Sequence, residues 1–434
     1  MRIFIDCTHT AKHTYKNTGI HRVVRELTSE LLKISSSRPD IEIVVVMFDG
    51  KFIRRVTNLN PENLSNSTKT NLYFHLLNKI KNKFHILFVK INSKVLNLIF
   101  NILPVINTLY SNDSKKNSLQ FEDYTIQPED IYIIADANWD QPKTYYTFLE
   151  CLKANKTFIV FICYDLIPIK FPEFASEKFT EVFTKFYRKY SNLFDKVLCI
   201  SKISVEDYKN AQKQGILPSS NPNLQVESFR LGCDYYNHDY SLNLENNDFD
   251  KNFNELLTKR YILVVGSLVP HKNIKTIIAA FDLLANSNSE EIYLLFAGNR
   301  GWHSETDALI EYNTMYGKLI HILGSVTDAQ LKLLYQNCYC LVQASFYEGF
   351  GLPVVEALQY GKPVVASTGG SLPEVGGDFC LYFNPTQPTE LYEALKKLLD
   401  SEIYYNQLVK RIKNEYKPFS WQESAEEFLS LLLS

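Results

Sequence analysis

The sequence has no excess of charge of either sign: 46 Lys and Arg face 48 Asp and Glu, a formal net charge of −2 over 434 residues. Without a broad basic field, a general nucleic-acid binder held by electrostatics is excluded. No Cys-x-x-Cys pair occurs among the eight cysteines, which argues against a zinc ribbon or a dithiol redox centre. Several thiols fall in strand-like runs (Cys163, Cys199, Cys340), and all eight are expected to be buried and reduced, with Cys338 and Cys340 sharing a strand face. Long apolar runs are also missing. The best window, 84–110, is broken by Lys90, Lys94, Asn97, Asn101, Pro104 and Asn107, whereas a membrane span needs about 20 mostly apolar residues. The opening Met1-Arg2-Ile3-Phe4-Ile5-Asp6 meets a carboxylate after three apolar residues. That is too short for the apolar core of a secretory leader, so a first buried strand and a cytoplasmic location are expected. No internal repeat is found.

What is present is ordinary globular composition, 45% hydrophobic and 22% charged, in a chain long enough for two or three domains at roughly 150 residues each. Short runs rich in Val, Ile and Phe predict strands at 3–6, 41–48, 131–135, 158–163, 197–200, 261–265, 292–297, 319–323, 340–343 and 363–366. They do not alternate polar with apolar residues, the pattern of parallel strands covered on both faces. Amphipathic helices separate them: Ile20, Val23, Val24, Leu27 and Leu31 share one face, as do Ile274, Ile277, Ile278, Phe281 and Leu284. The fold class is therefore α/β, with two doubly wound, Rossmann-like domains. The expected division is 1–245, with an insertion at 50–125, then 255–415, then a C-terminal helix at 416–434. The boundary falls in the Asn- and Asp-rich stretch 236–258, where Asp248-Phe249-Asp250 reads as solvated linker charge. Ser420-Trp421-Gln422-Glu423 is a capping box that opens the last helix.

Residues 63–112 contain no Asp or Glu and six Lys. Phe84, Leu87, Phe88, Ile91, Val95, Leu98 and Ile102 recur there at helical spacing, opposite Lys90, Lys94, Asn97 and Asn101. Two readings stand: a core helix with a thin solvated edge, or an interfacial helix at 79–110 lying on an anionic membrane surface.

The chemistry concentrates in Ser345-Phe346-Tyr347-Glu348-Gly349-Phe350-Gly351-Leu352-Pro353-Val354-Val355-Glu356-Ala357. Gly349 and Gly351 permit a tight loop after a buried strand, and Pro353 suits a first helical turn. Free N–H groups at the start of that helix form an anion site. Glu348 and Glu356, eight residues apart, bracket it, and carboxylates at an anion site take hydroxyl groups as partners. The loop is neither a P-loop (Gly361-Lys362 runs into Pro363) nor a dinucleotide fingerprint (no third Gly follows Gly349-Phe350-Gly351). In Gly266-Ser267-Leu268-Val269-Pro270-His271-Lys272-Asn273, Lys272 follows a strand and is placed as a point charge for a diphosphate. Asn17-Thr18-Gly19-Ile20-His21-Arg22 offers a further helix N-terminus at Gly19. Asp165, in Tyr164-Asp165-Leu166-Ile167-Pro168, sits at a strand's carboxyl end, where it either orients a substrate hydroxyl or caps a turn. His9 and His13, four apart in a loop-like stretch, lack a carboxylate motif and are not read as metal ligands.

Together these residues resemble the retaining glycosyltransferases of family four, whose GT-B fold sets two Rossmann-like domains across a cleft. The similarity is greatest from Tyr261 to Pro385, including Leu323-Gly324-Ser325-Val326 and Ser371-Leu372-Pro373-Glu374-Val375, and looser in the N-terminal half. The subgroup it looks like builds bacterial surface polysaccharides, often from mannose or rhamnose. The resemblance implies that Glu348 contacts the donor sugar and Glu356 the ribose. Gly349, Phe350, Gly351 and Leu352, with Lys272, would hold the diphosphate, which Gly19 approaches from the other domain. Val326 and the loop at 298–302 would line the base. The last helix would return to the N-terminal domain. No metal is expected. The implied donor is a nucleoside-diphosphate sugar, GDP-mannose first and a UDP-sugar second; the implied acceptor is a lipid-linked oligosaccharide at the inner face of the cytoplasmic membrane. Two positions depart from the family. Ser267 stands where an Arg is usual, leaving Arg300 or Arg230 to supply the charge, and Tyr164 stands where a His is frequent. Two other functions are carried: a non-catalytic sugar-nucleotide-binding or scaffolding module, and a sugar-nucleotide epimerase.

Overall fold

The computed structural model describes residues 1–14, 18–59, 126–234, 251–287, 291–301 and 304–434. Two sheets carry the chain. The first has β1 (Arg2–Asp6), β2 (Glu42–Phe48), β3 (Ile53–Arg55), β4 (Ile131–Ile134), β5 (Phe158–Cys163), β6 (Lys196–Cys199) and β7 (Gln225–Ser228), in the order β3-β2-β1-β4-β5-β6-β7. All its pairings are parallel except the antiparallel β2–β3 edge. The second has β8 (Tyr261–Val265), β9 (Tyr293–Ala297), β10 (Ile320–Gly324), β11 (Cys340–Gln343), β12 (Val364–Ser367) and β13 (Cys380–Phe383), in the order β10-β9-β8-β11-β12-β13, all parallel. Both orders reverse direction once, between β1 and β4 and between β8 and β11. Such a switch point opens a crevice at the strands' carboxyl ends.

The expected strands are present within one or two residues at each end. The pattern missed β3, β7 and β13. Each is an edge strand, covered less completely than a central one: β7 reads Gln-Val-Glu-Ser and β13 is mostly half-buried. Two further expectations are corrected. Cys151 is exposed and Cys380 only partly buried, because they lie on a helix surface and an edge strand, although all eight thiols are free. Cys338 precedes β11 and packs in a different apolar cluster from Cys340, so the two do not share a face. The boundary stretch contains a short helix, Lys251–Leu257, that buries Phe253 and Leu256. Asp248-Phe249-Asp250 and the lysine-rich segment at 79–110 lie outside the described residues. Among the described residues, no helix is long and apolar enough to cross a membrane.

The two sheets are not independent bodies. One apolar cluster runs from Ile3, Val24 and Leu27 through Tyr164 and Phe350 to Tyr261, Leu341 and Val354. The helix Trp421–Leu433 starts at the Ser420 capping box and packs on the helix Gly19–Ser37. The ammonium of fully buried Lys196 on β6 is held by the Leu431 carbonyl near that helix's end and by Ser434 Oγ at 3.2 Å. Where the chain crosses back, Cys233 N–H donates to the Phe419 carbonyl at 2.9 Å and Trp421 N–H to Asp234 at 2.6 Å. The C-terminal helix thus lies on the first sheet's domain.

Candidate active site

The end of β8 places Lys272. The chain makes a single turn, Pro270–Lys272, closed by Asn273 in the left-handed region (φ 58°). Buried Asn273 ties the turn down, its Nδ2 donating to the carbonyls of Ala344 (3.0 Å) and Pro385 (2.6 Å). The His271 carbonyl accepts from Phe346 N–H at 2.8 Å. The turn is therefore pinned to the loop that follows β11, and the ammonium projects to that loop: Lys272 Nζ lies 2.5 Å from Glu348 Oε1.

Glu348 is 8% exposed. The same oxygen accepts from Gln343 Nε2 at 2.7 Å and Ser345 Oγ at 2.5 Å. Burial pushes its carboxyl up, but Lys272, His271 and these hydrogen bonds outweigh burial and hold it below the ordinary carboxylate value. His271 is pushed down to about 4, first by burial and then by Lys272, so its imidazole is neutral at pH 7.

Beyond Glu348 the loop presses on the other domain. A Cβ on Gly349 would lie 2.4 Å from the Tyr164 carbonyl oxygen and 3.0 Å from Asp165 Cβ, so only glycine admits this approach. Gly351 (φ 102°) then starts the helix Leu352–Gln359, with Pro353 in its first turn and no side chain capping it. Pro353 has no N–H and Val354 N–H donates to the Gly351 carbonyl at 3.0 Å, so of the first three helical positions only the Leu352 N–H is left to a ligand or water. Asp165, after β5, faces this loop and accepts from Ile167 N–H at 2.9 Å, so it caps a turn. Its carboxyl is raised to about 6 by burial, further by Glu348 and Asp207, against the Ile167 N–H and Lys272. Lys272, Glu348, Gly349, Gly351 and Asp165 thus meet at the switch-point crevice between the sheets.

Glu356, 2% exposed, lies one turn into the helix. Tyr335 OH donates to its Oε2 at 2.6 Å, and Arg22 from the first domain pairs with its Oε1. Gly19 opens Arg22's helix and lies near Leu352: a Cβ added at Gly19 would sit 4.0 Å from Leu352 Cδ1. The two helix N-termini therefore confront each other across the crevice.

The loops after β9 and β10 form the outer wall. Asn299 Nδ2 donates to Ser325 Oγ at 2.6 Å, next to half-buried Val326, and Leu268 N–H donates to the Asn299 carbonyl at 2.9 Å, beside Ser267. The two arginines named as replacements for the family's Arg have partners of their own. Arg300 Nη1 is held by Glu311 at 2.5 Å and Nη2 by Tyr316 OH at 3.2 Å, while Arg230 lies over the Phe419 ring at the chain crossing. His9 sits on a short helix, Thr8–Lys12, rather than a loop; its ring contacts those of His13 and His21. No cluster able to hold a metal occurs among the described residues.

Sequence reasoning missed the partners of the carboxylates. Ser345 opens the motif it found and Gln343 lies two residues before it, while Arg22 closes the stretch quoted around Gly19, but none of the three was given a role. Tyr335 is remote in sequence and carried no signal. It missed as well the contacts between the domains: Tyr347 OH bridges Lys170 (2.8 Å) and Asp207 (2.5 Å), and Glu374 accepts from Lys202 N–H at 3.0 Å.

Comparison with known proteins bears on the fold and on the second domain's sequence. Residues 245–415 match the family Glycosyl transferases group 1. The O-antigen chain mannosyltransferase B of Escherichia coli is 34% identical over 177 residues, covering 41% of this chain and 46% of that protein. The serotype-specific mannosyltransferase WbdA of Escherichia coli is 25% identical over 440 residues, 99% of this chain and 46% of that protein. The chain thus spans less than half the length of these relatives. Among solved structures, a sucrose-phosphate synthase from Thermosynechococcus elongatus superposes with TM-score 0.58 at 16% identity, over 100% of this chain and 98% of that one. Anabaena Alr3699/HepE, solved with UDP and glucose, gives 0.57 at 14%, over 100% and 99%. The fold is GT-B.

Proposed function

We propose that this chain, whose residues 245–415 belong to the glycosyl transferases group 1, is a retaining hexosyltransferase of cell-surface polysaccharide synthesis. Its donor is a nucleoside-diphosphate sugar, and its acceptor a saccharide or lipid-linked oligosaccharide. The observation that carries this reading is the Lys272–Glu348 pair beside the uncapped helix start at Gly351, facing Asp165 across the interdomain crevice.

Cleavage of the bond between the sugar's anomeric carbon and the diphosphate oxygen builds negative charge on that oxygen. Lys272 and the N–H groups around Gly351 and Leu352 are placed to take it up without a metal, the kind of fixed stabilisation that contributes about 3 kcal/mol per group. The acceptor hydroxyl forms the new bond on the same face, and its proton passes to the departing phosphate. Glu348 receives sugar hydroxyls, Glu356 the ribose hydroxyls, and Asp165 orients a substrate hydroxyl. Val326 and the 298–301 loop wall the base. Closure of the crevice excludes water and suppresses donor hydrolysis.

Mannose from GDP-mannose is the first donor to test, because the relatives include O-antigen mannosyltransferases. A UDP-hexose is the second, because a neighbour of the same fold was solved with UDP and glucose. Residues 79–110 would hold the chain at the inner face of the membrane, beside a lipid-linked acceptor. Deleting them should abolish flotation with anionic liposomes; unchanged flotation removes that role.

A donor panel with detection of nucleoside diphosphate tests the whole reading. A transferase releases diphosphate, runs faster with acceptor and keeps its rate in EDTA. A binding module releases none, and an epimerase alters the sugar while the nucleotide stays attached. Glu348→Ala should abolish most transfer in a folded protein; wild-type turnover would refute the site.

A further inference from the structure

We propose that Arg22 is the cation that the first domain contributes to the donor's diphosphate, a specificity-determining residue of the site; this rests on the function proposed above. The argument starts from charge. The crevice gathers three carboxylates, Glu348, Glu356 and Asp165, and Lys272 is already engaged by Glu348 at 2.5 Å. An entering diphosphate adds further negative charge, so one ammonium group with a committed partner leaves the site short of cations. Of Arg22, Arg230 and Arg300, Arg22 alone reaches the second helix of the crevice. Arg300 is held by Glu311 and Tyr316, and Arg230 by Phe419.

Arg22's position fits the task. It lies three residues into a helix whose start, Gly19, is near Leu352, where the facing helix begins and offers the Leu352 N–H. Its side chain is 11% exposed, so its charge is little screened by water. It pairs through Nη1 with Glu356, whose Oε2 is taken by Tyr335. A guanidinium carries five N–H donors in a rigid fork, so it can keep a carboxylate on one edge and take a phosphate oxygen on another. Arg22 would thereby join the carboxylate assigned to the ribose with the diphosphate next to it, and only in the closed crevice, because the two groups come from different domains.

Calorimetric titration of the full-length protein with GDP, UDP, guanosine and uridine separates this from a purely structural strut. Arg22→Gln should weaken the diphosphate that binds wild type by about tenfold to a hundredfold, and weaken the matching nucleoside by only about threefold, because Gln can still donate to the ribose carboxylate Glu356 but carries no charge for the phosphates. Glu356→Gln should do the reverse, weakening nucleoside and diphosphate by the same factor. Arg22→Lys, which keeps the charge and the fold, should fall between. Ser267 is exposed and, with Lys272, lines the small cavity at the end of β8. Ser267→Arg in the Arg22→Gln background should therefore restore diphosphate binding in part, which no lost strut between domains would allow. Equal losses for nucleoside and diphosphate in Arg22→Gln, or unchanged diphosphate affinity in Arg22→Gln and Arg22→Lys, would overturn the assignment. If wild type binds neither GDP nor UDP, the proposed function fails first and the assignment with it.

Discussion

Replacing Lys272 by Met tests the site through stability as well as rate. The substitution keeps the side chain's length and removes its charge. Glu348 is left in place with Gln343 and Ser345 still donating to Oε1 but with its ion partner gone. Breaking a buried pair costs about 3–5 kcal/mol. The lower end applies, because the Lys272 side chain keeps 19% of its exposure. At roughly 2–4 °C per kcal/mol for a domain of this size, Tm at pH 7 should fall by about 8 °C. The penalty should also depend on pH. In wild type the Glu348 carboxyl is held below its ordinary value, so its stabilisation is complete above the unfolded value and fades as pH falls through the lower folded one. Without Lys272, burial dominates and the folded value rises above the unfolded one. The variant then gains relative stability on acidification, since a proton bound to Glu348 relieves its burial. Thermal melts of both proteins from pH 7 to about pH 4.5 should show the Tm gap narrowing. Transfer at pH 7 should fall by roughly a hundredfold or more. A Tm gap independent of pH would refute the electrostatic account of the pair, and undiminished transfer would refute the catalytic one.

Three other substitutions probe separate parts of the construction. Gly351→Ala forces a side chain into φ 102° with its Cβ 2.6 Å from Leu372 Cδ2; the strain is worth about 1–3 kcal/mol. Diphosphate release should drop further than the Tm shift accounts for, because the helix start itself is displaced. Asp136, 2% exposed, has its carboxyl raised to about 6 by burial, against N–H donors from Thr10 and Ala137. Its folded value exceeds the unfolded one, so it erodes stability as pH rises from about 4 to about 6, by about 3 kcal/mol in all. Chemical denaturation of Asp136→Asn across that window should give a flatter dependence than wild type; an identical slope would show that Asp136 does not titrate there. Ser420→Ala removes the cap of the final helix and should cost about 1 kcal/mol in denaturant melts, without changing donor affinity.

The doubly wound architecture was legible because central parallel strands need both faces apolar, and runs such as Phe158–Cys163 and Tyr261–Val265 carry that demand openly. The core of the site was legible for a related reason. A glycine pair, a proline and two carboxylates within thirteen residues fix a loop and a helix start, which is local geometry. Pairings between distant segments were not legible. Arg22 and Glu356 are 334 positions apart, and Lys170 and Tyr347 are 177 apart. Nothing in the spacing of either partner marks the other, because those contacts depend on how two domains dock. The partner of Arg300 was hidden for the same reason: its nearness in sequence to the base-lining loop says nothing of Glu311, the acid that its guanidinium meets.

The domain docking would also let a site with three carboxylates take the proposed diphosphate. Each of two acids carries its own cation, Glu348 from the turn after β8 and Glu356 from the first domain's leading helix. The third, Asp165, has a carboxyl raised to about 6, so part of its population is neutral in weakly acidic solution. Pairing in this way would lessen the repulsion an entering diphosphate meets, so that the spare donors of Lys272 and Arg22 and the uncapped helix start at Gly351 can attract it. The neutralising groups come from both domains, so an open crevice would hold Glu356 without Arg22 and would repel the proposed donor more than a closed one. Donor binding and closure would then be reciprocally linked: the factor by which closure tightens the donor is the factor by which bound donor favours closure.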